Sequence, residues 1–583
     1  MAVDLYPTGD PHGVATSKPE HLVDFLRRAA LGRNGITVVK PDGGEVTKSY
    51  AELLARAHGR ATALEEQGVG LGDSVVLVLD NTFDFVETYF GILLLGAAPV
   101  PVALPHPMGS QEAYLRNLEH MAWATDARLI VTHSPLVPMF QALEPRISIL
   151  ATRDLWSSRS SSVEPRIDLD APGLIQCTSG STHSPKPVVL SHRKLVANIV
   201  GTQRRTHVTP QTRTVSWLPL FHDMGIIGPL LGSIHAASSL FLLSPATFLL
   251  DPASWWRTIS KHRGTLTAAP NFAFAHSLRI SEEEIRGFNL STIECIICGA
   301  EPIQSNTIQR FLRHFRETKI QASAFCPAYG LAESCVAVSM VEPGKGIAFH
   351  RFDRQALSDS QAPRAIPAED ETKSVEYASL GKAIEGSKIS IRSPLGVELP
   401  EGTVGEVCVE GASLMEGYLN RPDATEEVLG RGHLRTGDRG FLHNGDLFLV
   451  GRIKHMVILR GRNYYAEDIE TTLERLPGVH LSVAYGEVNE RRGSEELHLV
   501  VETRFTDPVA RKELEAVITE TLGTLFGFSP AQTVLVPTKS IPRTSSGKKR
   551  REEAQKLVHR GILGRNLFDT KADAIANQKR SVG

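Results

Sequence analysis

What most constrains the fold of this chain is an alternation. From about residue 38 onward, amphipathic stretches of helical length take turns with short apolar runs rich in Val, Ile and Leu. Residues 50–67 read as a helix, 74–79 (Ser-Val-Val-Leu-Val-Leu) as a strand, and 82–95 as a second helix closed by Gly96. A strand over 100–104, a helix over 110–125 and a strand over 129–132 continue the pattern, and 217–220, 239–243, 266–269 and 293–298 supply further apolar runs. Runs without polar alternation are buried on both faces, and helices between strands act as crossovers. A parallel, doubly wound α/β sheet is therefore expected.

The alternation breaks in two places. Residues 341–375 hold Pro, Gly, Asp, Ser and Lys and read as an inserted surface loop or lid, and 380–418 return to short strands with Gly-rich turns, a β-rich subdomain. After Gly451-Arg452 the pattern becomes a compact α/β unit, with strands near 455–459, 480–486 and 495–502 and helices over 465–475 and 509–526. A chain of 583 residues exceeds one ordinary core, and the expected division is residues 1–452 and 453–583. The polar tail beyond about 560 is expected to fray.

A net charge of −2 with 22% charged residues argues against a dedicated nucleic-acid or membrane-surface binder. The most apolar stretches, 89–104 and 226–250, are interrupted by Gly, Pro, Ser or His before a span is complete, so no membrane span is expected. The first ten residues have neither a basic leader nor an apolar core, and no signal peptide is expected. Six cysteines are too few for a disulfide framework, and Cys295 and Cys298 sit in a β-branched run that suits buried strand residues better than a metal or redox pair. A reducing, cytoplasmic setting follows as the expectation.

Against this frame, Cys177–Lys186 (Cys-Thr-Ser-Gly-Ser-Thr-His-Ser-Pro-Lys) stands out as a hydroxyl-rich turn between two apolar strands, ending in a lysine. Hydroxyls and backbone N–H groups can donate to phosphate oxygens while the ammonium neutralises charge, so the turn suits a polyphosphate; a serine-rich surface turn is the alternative. It is not a Walker loop, because its lysine is flanked by proline rather than opening a helix. Other candidates close apolar runs. His222-Asp223 is a polar pair, although a lone His is more often structural. Gly299-Ala300-Glu301-Pro302 is a small-residue turn that lets backbone lie against a ring. Tyr329-Gly330-Leu331-Ala332-Glu333 offers an aromatic for stacking and, four residues on, a hard oxygen ligand for magnesium. Asp438 and Arg452 offer a carboxylate for ribose hydroxyls and a guanidinium. Lys548 ends a Gly/Ser loop, or else belongs to a basic surface patch with Lys549, Arg550 and Arg551.

In order and spacing, these segments resemble the adenylate-forming superfamily of acyl-CoA synthetases, luciferases and nonribosomal-peptide adenylation domains, over about residues 20–560. Within it the chain is most similar to fatty acyl-AMP ligases, on Ala269-Pro270-Asn271-Phe272-Ala273-Phe274, Gly299–Pro302, Tyr329–Glu333 (with Ala332 where Thr is commoner), Arg460–Tyr465 and the insertion near 341–375. The resemblance implies ATP-dependent activation of a fatty-acid-like carboxylate to an acyl-adenylate with release of pyrophosphate. It implies that Thr178, Ser179, Gly180, Ser181, Thr182 and Lys186 hold phosphates and that Glu333 binds Mg2+. Tyr329 and Gly330 would meet adenine beside Gly299, Ala300 and Glu301, and Asp438 and Arg452 would grip the ribose. Lys548 would bridge carboxylate and nucleotide, and His222 would border the acyl site. Ile226, Ile227, Leu230 and Leu231 would serve either as tunnel lining or as core.

A mobile C-terminal domain would turn about Lys454 and pass the acyl group to the phosphopantetheine thiol of an acyl carrier protein, free or fused to a polyketide or nonribosomal-peptide synthase. A CoA ligase of the same fold and a degenerate nucleotide-binding scaffold are the other readings; the presence of Lys548, Glu333, Asp438 and Lys186 speaks against the last. Two positions depart from the family pattern, His183 and Pro187, both where glycine is usual. They imply a stiffer loop that still binds ATP.

Overall fold

The computed structural model describes residues 20–105, 110–143, 147–157, 167–178, 186–359, 363–370, 373–430, 432–459, 462–489, 494–544, 547–564 and 567–568. The start of the chain, 179–185 of the hydroxyl-rich turn, parts of 341–375, Arg460 and Gly461, and most of the tail lie outside these residues.

The expected parallel sheet is present. Gly35–Val39, Ser239–Leu243, Arg213–Ser216, Leu266–Ala269, Cys295–Cys298 and Phe325–Tyr329 lie side by side in that order, every neighbouring pair parallel. Short antiparallel strands close both edges: Glu45–Ser49 on one, Ser339–Met340 and Lys382–Ala383 on the other. A second, all-parallel sheet orders Ala98–Pro101, Ser74–Val78, Ala127–Thr132 and Ser148–Ala151. The helix Tyr50–Glu66 between these sheets starts where Ser49 accepts from the Glu52 N–H and Glu52 returns the bond, a capping box that satisfies two otherwise orphaned donors. Its neighbour Phe83–Leu94 ends at Gly96, whose φ of +70° suits the residue without a Cβ. Cys295 and Cys298 are buried strand residues as expected, and all six cysteines are free thiols.

One apolar run is displaced from its expected role. Residues 217–220 are not a strand; the strand is Arg213–Ser216, just before them. Pro219 has no N–H to donate to a ladder, and the side chain of Asn81 takes over. It donates to the carbonyls of Leu218 (2.9 Å) and Leu243 (2.8 Å) and accepts from the Leu220 N–H (3.0 Å). This amide, 3% exposed, sets the path that leads the chain to His222.

Pro172–Thr178 and Lys186–Ser191 pair antiparallel around the hydroxyl-rich turn, with Gly417–Tyr418 on the far side of the second strand. Pro187 costs this sheet little. Its carbonyl accepts from Leu419 N–H, so its missing N–H falls on that side too, where Gly417–Tyr418 has already ended.

The β-rich region is a four-stranded antiparallel sheet of Ser387–Arg392, Gly405–Gly411, Leu434–His443 and Asp446–Arg452. Residues 341–375 are not merely a surface loop. Phe349–Asp353 and Ser374–Ala378 form a two-stranded sheet, and Phe352, Leu357, Ala365 and Val375 bury against Phe441, Phe448 and Tyr465. The polar composition of the stretch conceals four apolar residues spaced to reach one core.

Beyond Arg452, the hairpin strands Met456–Leu459 and Arg462–Tyr465 precede a sheet of Val479–Asn489, Ser494–Thr503 and Gln532–Pro537, covered by helices Ala466–Leu473, Pro508–Phe526 and Arg551–His559. Val457, Ile469, Leu499, Ile518 and their neighbours make a core of their own. Among the described residues, no helix is long and apolar enough to cross a membrane. Replacing Asn81 with Ala strands three buried backbone groups, so Asn81→Ala is expected to lower unfolding free energy by about 2–4 kcal/mol. Urea denaturation measures this, and a loss below about 0.5 kcal/mol would remove the amide from its assigned role.

Candidate active site

In a parallel sheet all strands deliver their carboxyl ends to one edge, and ligands of open α/β sheets bind outside that edge. Here it opens into a cavity of about 1870 Å³. Lys186, His222, Asp223, Gly299, Ala300, Glu301, Tyr329, Gly330, Glu333, Asp438, Arg452, Lys454 and Lys548 all line it, although they lie hundreds of residues apart in sequence. Thr178 ends its strand opposite Lys186. Ser179, Gly180, Ser181 and Thr182 lie outside the described residues.

Two glycines exist for close approach. A Cβ on Gly299 would lie 2.7 Å from the carbonyl oxygen of Ala328, and one on Gly330 would lie 1.5 Å from that of Val336. Next to Gly299, Ala300 holds φ +68°, a left-handed conformation that residues other than glycine rarely adopt. Such strain persists where surroundings dictate it, commonly at ligand sites. Glu301 accepts the Phe272 N–H at 2.5 Å. Burial pushes its carboxyl above the usual range, against the opposing pull of that N–H and of Lys548, Lys549 and Arg543.

The Asp438 carboxylate joins two sheets. Tyr329 Oη donates to its Oδ2 at 2.8 Å, and Arg452 Nε lies 2.8 Å from its Oδ1. Burial, reinforced by the Asp438 charge, raises the tyrosine pKa well above normal, so Tyr329 remains a donor, and Asp438 in turn raises that of Arg452. A carboxylate has about four lone-pair sites, so two protein partners leave it able to accept further hydroxyls.

Farther along the cavity, Tyr418 Oη donates to Glu333 Oε1 at 2.8 Å, and Lys186 Nζ stands 4.8 Å from the centroid of the Tyr418 ring. This cluster of carboxylate, ring and ammonium was only partly visible beforehand. Tyr418 was missed because residue 418 is a sheet neighbour of 188, which no local pattern announces. Among the described residues, no three His, Cys, Asp or Glu side chains gather as a metal site. One cavity carboxylate, Glu333, fits a hard divalent ion that arrives with phosphate oxygens, for which proteins commonly supply one or two carboxylates.

His222 Nδ1 lies 2.6 Å from Asp223 Oδ1, an orienting carboxylate that holds the ring. Burial would raise the Asp223 carboxyl, but His222 and Lys548 outweigh it and keep the pKa low. Gln176, just before the hydroxyl-rich turn, donates to the Phe221 carbonyl at 2.8 Å and lines the same wall. Of the four apolar residues left between core and tunnel, Ile227 lines the cavity, whereas Ile226, Leu230 and Leu231 pack in the main core.

Lys548 enters from the C-terminal unit on a tight turn: its N–H donates to Thr544 Oγ1 (3.0 Å), and its carbonyl accepts from Thr544 N–H (2.8 Å). Of its basic neighbours Arg550 is exposed, but Lys549 and Arg551 turn inward. Lys549 Nζ lies 2.8 Å from Glu470 and 2.6 Å from Glu474, while Arg551 makes two 2.7 Å bonds to Glu470. Glu470, 1% exposed, also accepts the Ala484 N–H. Burial would raise this carboxyl, but the two cations hold it at about 2. Lys549 and Arg551 thus anchor the chain just after the turn that carries Lys548. At the start of the unit, Lys454 lies 3.8 Å from Glu552, and burial lowers its pKa.

A depressed carboxyl contributes stability that is complete above the ordinary glutamate range and is lost as pH falls from there toward 2. Glu470→Gln removes this contribution at neutral pH and leaves two half-buried cations short of a partner. The expected cost is about 3–5 kcal/mol by chemical denaturation. The variant's stability should also be flatter in acid than that of the parent; parallel pH profiles would contradict the anchor.

The geometry can be set beside known proteins. Residues 26–419 match the family model described as AMP-binding enzyme. A medium-chain-fatty-acid–[acyl-carrier-protein] ligase of Moorena producens, JamA, is 30% identical over 94% of this chain and 97% of its own. A Mycobacterium tuberculosis protein named as a fatty-acid–CoA ligase, fadD25, is 31% identical over 88% and 92%. Among solved structures, a chain from work on the fatty acyl-adenylate ligases of E. coli and L. pneumophila superposes with a TM-score of 0.87 at 31% identity, covering 93% of this chain and 98% of that one. On these matches the chain belongs to the AMP-binding enzyme family as an adenylate-forming ligase.

Proposed function

We propose that this enzyme activates a fatty-acid-like carboxylate with ATP and hands the acyl group to the phosphopantetheine thiol of an acyl carrier protein. In the first step a carboxylate oxygen bonds to the α-phosphorus, the bond from that phosphorus to the bridging oxygen breaks, and pyrophosphate leaves. In the second, the thiol sulfur bonds to the acyl carbon, the carbon–oxygen bond to the phosphate breaks, and AMP leaves. In-line displacement at phosphorus asks mainly for alignment and charge neutralisation. Lys186 and the turn before it would hold the outer phosphates, Asp438 and Arg452 the ribose, and Tyr329 with Gly299–Glu301 the base. A magnesium ion between phosphates and Glu333 would supply further neutralisation.

The observation that carries the first step is the position of Lys548. It reaches the cavity from a separate core, close enough to Asp223 and Glu301 to lower the pKa of the one and oppose the burial of the other. An ammonium there meets the carboxylate and the nucleotide together.

For the second step we take residues 1–452 and 453–583 as domains hinged at Lys454. The insertion supports a carrier protein over free CoA because it grips the C-terminal unit. Arg354 pairs with Asp468, donates to the Ser374 carbonyl at 2.9 Å, and lies 4.3 Å from the centroid of the Phe526 ring. Tyr465 adds an apolar contact to the insertion's core. These ties oppose rotation to a CoA-accepting arrangement. The free thiols suit a cytoplasmic location.

Lys548→Ala is expected to lower ATP–pyrophosphate exchange by about 10²–10³-fold; full exchange in this variant would remove the lysine from the chemistry. Purified enzyme should accumulate acyl-adenylate, detected by mass, and transfer it to a phosphopantetheinylated carrier. Acyl-CoA formed as fast as acyl-AMP would instead make it a CoA ligase. Arg354→Ala should raise CoA turnover severalfold with exchange little changed, and no rise would mean that the insertion does not restrain the domain.

A further inference from the structure

The C-terminal unit carries a second concentration of charge, apart from the groups assigned to the nucleotide. Val479–Asn489 runs antiparallel to Ser494–Thr503, which pairs parallel with Gln532–Pro537. The start of the first strand and the ends of the other two therefore meet at one edge of the sheet, with Val479 beside Thr503 and Thr503 beside Pro537. Just past that edge come Arg504 and Lys539, and Arg543 follows Lys539 closely. Arg475 stands between the helix Ala466–Leu473 and Val479. All four side chains are exposed, and all four residues line the cavity.

Charge on this wall is unbalanced. The carboxylates that the unit contributes to the cavity are Glu467, Asp468, Glu470 and Glu474, and each already faces a cation. Glu467 pairs with His455 and Arg551, Asp468 with Arg354, Glu470 with Lys549 and Arg551, and Glu474 with Lys549. Asp468 feels the charge of Arg475, and Glu301 that of Arg543, only at longer range. Among the described residues, none of Arg475, Arg504, Lys539 and Arg543 is held in an ion pair. Exposed cations elsewhere in the chain do find carboxylates, as Arg193 does in Asp170 and Arg257 in Asp251 and Glu284. Four like charges gathered at one edge repel one another, and an anionic partner relieves that repulsion.

Their spacing decides what kind of anion fits. Neighbouring strands lie about 4.8 Å apart, so side chains leaving this edge are spread over about 10 Å or more. A single phosphate is held by donors that converge in a concavity. A row of separate, exposed cations instead meets separate carboxylates on a broad surface. We propose that the edge formed by Arg475, Arg504, Lys539 and Arg543 docks the acyl carrier protein, through carboxylates on the carrier's surface beside its phosphopantetheine. The inference rests on the carrier-protein reading above and names the surface that receives the carrier. Because the four residues belong to one unit, a carrier held there travels with that unit as it turns.

The test uses the full enzyme with ATP, a fatty acid and an acidic phosphopantetheinylated acyl carrier protein, with pantetheine and CoA as small thiols for comparison. In the parent, kcat/KM for the carrier should fall severalfold from about 50 to about 500 mM salt, because salt screens exposed charges. Arg504→Glu with Lys539→Glu should raise KM for the carrier about tenfold or more and remove that fall. ATP–pyrophosphate exchange, transfer to pantetheine and melting should stay as in the parent, and Arg504→Ala and Lys539→Ala should each show part of the effect. An unchanged KM for the carrier in the double variant overturns the inference. So does a matching fall in exchange, which gives the cations to the nucleotide, or a loss confined to CoA, which gives them to its phosphates. A parent that acylates CoA and no carrier overturns the carrier-protein reading instead, and this inference with it.

Discussion

The parallel register of the large sheet is the constraint from which the rest follows. Strands that pair parallel must all end on one edge, so the turns after Arg213–Ser216, Leu266–Ala269, Cys295–Cys298 and Phe325–Tyr329 are forced together. Those turns carry His222, Phe272, Glu301 and Glu333. Closure comes from two other units, the antiparallel sheet with Asp438 and Arg452 and the C-terminal unit with Lys548. The Tyr329–Asp438 hydrogen bond ties the large sheet to the first of these.

Charge is organised before any substrate arrives. The Arg452 guanidinium is held by Asp438 and the Lys186 ammonium lies over an aromatic ring, so the electrostatic field is set by groups with little freedom to reorient. Preorganised charge of this kind avoids the reorganisation that water would require at the moment of reaction. Lys548 is a different case, because it arrives on a turn rather than on a strand. Its placement relies on Lys549 and Arg551 just after it, whose shared partner Glu470 is almost fully buried. A buried pair of this sort is weak evidence for net stability but strong evidence for fixed geometry.

Sequence reasoning reached residues that line the cavity where local chemistry and backbone topology coincide. Gly299, Ala300 and Tyr329 close apolar runs or lie in them, so their pattern is contiguous and their position follows from the strand beside them. It failed where a residue acts at long range. Asn81 replaces a ladder for a segment 137 residues away, and Tyr418 meets Glu333 across 85. Lys549 and Arg551 looked like a patch because their like charges are adjacent, while Glu470 sits 79 and 81 residues earlier. Residues 341–375 were misjudged for the related reason that Phe352, Leu357 and Val375 share a core only after the chain has folded back.

The same division separates what is common in this site from what is individual. The residues proposed to meet the nucleotide lie at strand ends, where backbone position alone brings them to the cavity. The deep end of the tunnel is built from helix faces, where any residue of suitable size could stand and no motif marks the choice. Ile199 and Ile227 meet across the tunnel only once the helix His192–Thr206 and the helical run from Asp223 to His235 have packed, and Gln203 holds the two in register through the Gly232 carbonyl at 2.6 Å.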